Sequence, residues 1–142
     1  LQAAEDLVQR HGRIDVLLVN LAVPAPSTPV GDVDEGEWQH MFNTMVHPLQ
    51  RLVKAVLPQM QERRRGKILV MGSASALRGM KRASSYSAAR GAQLAYVQAI
   101  GVELAPMNIQ VNAIAQNFVD NSTYFPPQVQ ADPRVIEVYL GR

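Results

Sequence analysis

Three short runs rich in branched apolar residues limit what this chain can fold into: IDVLLVN at 14–20, KILVMGS at 67–73 and IQVNAIA at 109–115. Residues 14–19 are nearly unbroken in apolar character, which predicts a strand buried on both faces, as in a parallel sheet. The intervals between the runs carry helical spacing. Ala3, Ala4, Leu7 and Val8 recur at that spacing before Gly12, a suitable C-cap, so residues 1–11 read as the tail of a helix. From about Asp34, the series Trp38, Met41, Met45, Leu49, Leu52, Val53, Val56 and Met60 steps by threes and fours. That is one long amphipathic helix, bent near Pro48, which removes a backbone donor. Another helix runs from Ser84 to about Ala105, apolar or small nearly all round, and is expected to be covered by the sheet on one flank and a partner subunit on the other. Alternating strands and helices predict an α/β fold, a doubly wound parallel sheet in three α/β/α layers.

In such sheets ligands sit beyond the carboxyl ends of the strands, and Asn20, Ser73 and the pair Gln116-Asn117 all fall at such ends. The stretch GSASALRGMKRASSYSAAR at 72–90 reads as a strand end, a short polar loop and the first turns of a helix. Tyr86 and Arg90 are four apart, so their side chains share one helical face. A fixed cation beside a phenol favours the phenolate, the form that a tyrosine needs to act as a general base. Ser73, thirteen residues earlier, can face the same space. Tyrosine and arginine at this spacing also occur in helices without function, so the wider pattern has to carry the reading.

Composition excludes several classes. A formal charge of +2 is too small to argue for nucleic acid, and the absence of cysteine removes disulfides, thiolate catalysis and Cys-ligated zinc. No His, Asp or Glu cluster has metal-ligand spacing, so no metal is expected. No apolar run reaches the length of a membrane span, which makes a cytoplasmic protein the expectation. The chain opens on Leu1 inside a helix and closes on Gly141-Arg142 after an apolar stretch, so residues 1–142 read as a single partial domain of a longer protein. Arg63, Arg64 and Arg65 read as a solvated helix end, and His40, His47 and Trp38 as structural.

With VNLAV after the first strand, the serine of KILVMGS, Y-x-x-x-R on the next helix and VNAIA in the third strand, the sequence resembles the short-chain dehydrogenase/reductase superfamily along its whole length. That resemblance implies a Rossmann-like fold, but this sequence departs from the superfamily's pattern. Arg90 replaces a lysine, Val23 a glycine, Met45 an asparagine, and Gln116-Asn117 a Pro-Gly pair. In these departures it resembles the halohydrin dehalogenases, the B-type enzymes most closely. The resemblance implies a Ser73, Tyr86, Arg90 triad, no cofactor, and a vicinal haloalcohol or an epoxide as substrate. It also implies a halide site at Gln116, Asn117, Phe118 and Val119, with Tyr124 and Phe125 walling the pocket, in a homo-oligomer, expected to be a tetramer. Two alternatives stay open: an NAD(P)-dependent oxidoreductase with Arg90 in place of lysine, and an interaction protein that keeps the fold without the chemistry.

Overall fold

The computed structural model describes residues 2–117. Helix α1 (Gln2–His11) ends at Gly12, whose φ of +78° suits a residue without Cβ. Strand β1 (Val16–Val19) leads through a long loop to α2 (Glu35–Met41), capped by Asp34, whose Oδ1 accepts from the Glu37 amide at 2.7 Å. The long helix of the sequence reading is interrupted. A π turn at Phe42–Val46 separates α2 from α3 (His47–Glu62), and the His47 amide bonds to the Phe42 carbonyl, five residues back. Pro48 explains the slip, because it has no N–H to continue the ordinary ladder. Strand β2 (Gly66–Met71), a single turn α4 (Ser75–Arg78), helix α5 (Ser84–Leu104) and strand β3 (Ile109–Ile114) complete the order.

The strands form one parallel sheet in the order β1-β2-β3. Register aligns Leu17 with Ile68 and Val111, and Val19 with Val70 and Ala113, so these residues share a face. Against that face pack Ala4 from α1, Leu49, Val53, Val56 and Met60 from α3, and Val97 and Leu104 from α5. All three helices therefore lie on one side of the sheet. Each fully buried aliphatic side chain in this cluster contributes about 1.5–3 kcal/mol.

On the opposite face Val16 and Leu18 are 56% and 59% exposed, so among the described residues that side of β1 is left open. Their neighbours on that face, Leu69 and Met71, are half-buried, and Ile114 is exposed. The described residues thus supply the sheet and one helical layer of a Rossmann-like α/β fold; on the second face, apolar Val16, Leu18, Leu69, Met71 and Ile114 are mixed with Lys67, Gln110 and Asn112. On α5, Val102 is exposed in the single chain.

Candidate active site

The site gathers at the carboxyl end of the sheet. The Gly72 amide donates to the Ile114 carbonyl and the Ala74 amide to the Gln116 carbonyl, both at 2.8 Å, so the chain after β2 runs beside the chain after β3. This lays Gln116 and Asn117 alongside Ser73. The segment after Ser73, a polar loop in the sequence reading, turns instead into α4. Ser73 Oγ accepts from the Ser75 amide at 3.2 Å and from the Ser75 hydroxyl at 2.9 Å. With its lone pairs engaged in this way, the Ser73 proton is left to donate.

Tyr86 and Arg90 occupy the first turns of α5. Arg90 Nε donates to the Tyr86 hydroxyl at 3.0 Å, and the guanidinium carbon lies 5.1 Å from the ring centroid. Arg90 is only 2% exposed. A buried cation without a partner is costly, and here the balance comes from oxygen dipoles. Nη1 donates to the Met71 carbonyl at 3.0 Å, the Leu21 carbonyl at 3.2 Å and Gln93 Oε1 at 2.9 Å. The Tyr86 ring is half-buried against Met41, Met45 and Ala89, with Val23, Phe42 and Val46 beside it.

Ser73 and Arg90 line one small cavity of about 10 Å³ with Gln93, Leu94 and Ala113, room for roughly one water. No hydrogen bond joins Ser73 to Tyr86 among the described residues. Arg90 is bonded to Tyr86 and shares the cavity with Ser73, while Tyr86 does not line that cavity. Asn117 is exposed, and its Oδ1 accepts from Arg78 Nη2 on α4. Phe118, Val119, Tyr124 and Phe125 lie outside the described residues. Asn20, expected at the crevice, is exposed at the end of β1, where the Leu21 carbonyl next to it supplies the contact to Arg90.

Sequence reasoning missed Gln93, Ser75 and Arg78. Gln93 had only a weak signal, three residues from the arginine on a helix that also carries Gln98. A second polar cluster lies next door. Ser85 Oγ donates to Glu37 Oε1, and Thr28 Oγ donates to Glu37 Oε2 at 2.7 Å, which ties the loop after β1 and α2 to α5 beside Tyr86.

The sequence matches the family described as short chain dehydrogenase over residues 1–131. The chain belongs to that family. Among curated short-chain dehydrogenase relatives, human "Dehydrogenase/reductase SDR family member 4" is 32% identical over 115 residues, 81% of this chain and 41% of the relative. Among solved structures, a "Dehalogenation enzyme" superposes with a TM-score of 0.85 at 34% identity, over 95% of this chain and 55% of the other. A halohydrin dehalogenase bound to ethyl (2S)-oxiran-2-ylacetate gives a TM-score of 0.85 at 29% identity, over 95% and 56%. The chain thus spans about half the length of the relatives it matches.

Among the described residues no group of three or more His, Asp or Glu side chains gathers to hold a metal ion. No helix among them is long and apolar enough to cross a membrane.

Proposed function

We propose that this short-chain dehydrogenase family member is a halohydrin dehalogenase, which closes vicinal haloalcohols to epoxides with loss of halide and opens epoxides with small anions in reverse. The observation that carries the reading is the 3.0 Å bond from buried Arg90 to the Tyr86 hydroxyl. Likeness to two dehalogenase structures, one of them holding an epoxide, supports it.

The described residues fit a nicotinamide poorly. Tyr86 packs against an apolar cluster of Met41, Met45 and Ala89, and Arg90 Nη1 is spent on protein acceptors, which leaves it no free donor for a ribose. A dehalogenase needs only a base, an oriented substrate and a place for the anion. Ser73 donates to the substrate hydroxyl oxygen, and Tyr86 takes its proton. The alkoxide attacks the neighbouring carbon, the new C–O bond closes the epoxide, and the carbon–halogen bond breaks with its electron pair leaving on the halide. Arg90 stays protonated throughout and carries no proton. By the family resemblance the anion goes to the stretch 116–119, with Tyr124 and Phe125 as pocket residues; of these only Gln116 and Asn117 lie among the described residues.

One observation favours a second reading. The human relative is by name a dehydrogenase/reductase, so an NAD(P)-dependent oxidoreductase using the same serine and tyrosine is the competitor. The test is to incubate the intact protein with a small vicinal bromoalcohol and no nicotinamide, and to follow bromide and epoxide. Stoichiometric release of both, lost in Tyr86→Phe, supports dehalogenation. No release, together with tight NADPH binding, selects the oxidoreductase.

A further inference from the structure

Gln93 stands three residues beyond Arg90 on α5 and is 1% exposed. A primary amide buried this deeply must have both ends matched. Its Nε2 donates to the Met45 carbonyl at 2.8 Å and to the Leu21 carbonyl at 3.4 Å, while its Oε1 accepts from Arg90 Nη1 at 2.9 Å. The orientation is over-determined. Turned over, the amide would set NH2 against a guanidinium and oxygen against two carbonyls.

The Met45 carbonyl lies in the π turn at Phe42–Val46, the stretch of backbone displaced before Pro48. Gln93 therefore bridges that turn to the arginine. Because a guanidinium is planar, drawing Nη1 inward to Gln93, Met71 and Leu21 fixes the direction of Nε, which is the atom facing Tyr86. Glu37 reaches α5 close by, but Ser85 and Thr28 take up its carboxylate.

We propose that Gln93 is a positioning residue: its amide aims the Arg90 guanidinium at the Tyr86 phenol and couples that pair to the π turn. The proposal rests on Tyr86 serving as the base, in whichever reaction the base serves. Dehalogenation can fail without touching it.

The test is carried out on the intact protein and needs no substrate. Phenolate absorbance is followed through the alkaline range, and the part that Tyr86→Phe removes is assigned to Tyr86. In Gln93→Met, which keeps length but lacks the amide, a loosened guanidinium holds the phenolate less well, and the midpoint of that signal moves up. In an Arg90→Met background the same substitution leaves the midpoint where it is, because Gln93 acts through Arg90. A folded Gln93→Met with an unmoved midpoint overturns the proposal. If that variant does not fold, Gln93→Asn takes its place: the shorter amide cannot reach both Arg90 Nη1 and the Met45 carbonyl, so the midpoint must rise, and no rise is again fatal. A purely structural glutamine would lower the melting temperature and leave the midpoint unchanged.

Discussion

Arg90 holds Tyr86 in two ways at once, with Nε on the phenol oxygen at 3.0 Å and the guanidinium carbon 5.1 Å from the ring centre. Both contacts depend on a flat, forked cation whose other arm is anchored to the Leu21 and Met71 carbonyls. An ammonium is a point charge on a flexible stem and cannot reach all of these partners together.

Arg90→Lys is therefore expected to be a damaging change. It leaves buried acceptors unmet, which costs about 1–3 kcal/mol in a urea unfolding experiment. Bromide release should fall at least about tenfold, since a misdirected cation no longer assists the base. Wild-type stability and rate in this variant would mean that the fork is not used.

Gly72→Ala tests how Ser73 is placed. A Cβ at Gly72 would lie 3.2 Å from the Ile114 carbonyl oxygen, the same oxygen that accepts the Gly72 amide at 2.8 Å. The methyl must push the end of β2 away from β3, and Ser73 follows in the chain. The expected result is a stability loss of about 1–3 kcal/mol and a kcat lower by about tenfold, because small misplacements weaken proximity catalysis. Kinetics at a temperature well below the melt separate the two effects.

Ser85→Ala probes the neighbouring cluster. Its hydroxyl is fully buried and donates to Glu37, so its loss strips a partner from a carboxylate that Thr28 still holds. Thermal and urea melts should show a loss of about 1–3 kcal/mol. A loss no larger than a few tenths would mean that water replaces the hydroxyl.

What was legible in the sequence was what local pattern encodes. Branched runs gave the three strands, the periodic series marked a helix from about Asp34, and the four-residue step placed Arg90 on the face of Tyr86. What was illegible depends on partners far along the chain. Val16 and Leu18 look buried in sequence because an apolar run does not say whether a second layer covers it. α4 is one turn long, too short for any periodicity. Pro48 announced a disturbance but not that the ladder would slip into a π turn, and Gln93 acquires its meaning only from a carbonyl 48 residues away.

The last expectation concerns acid. Asp15 is exposed, and its carboxyl is held below the usual carboxylate value, first by the hydrogen bond from Arg63 at 2.9 Å, against which desolvation acts, and then by Arg13 at 3.0 Å. A carboxyl whose folded value is depressed adds stability that is fully present above its unfolded value and is lost as pH falls through the folded one. The stability difference between wild type and Asp15→Asn should therefore be constant at neutral pH, shrink as pH drops below the ordinary carboxylate range, and vanish once the folded protein is protonated. Because the pair is open to solvent, high salt should shrink the difference at neutral pH as well. Urea melts of both proteins at neutral and acid pH, each at low and high salt, check this. A difference that grows as the solution is acidified would contradict the sign and remove Arg63 as the cause.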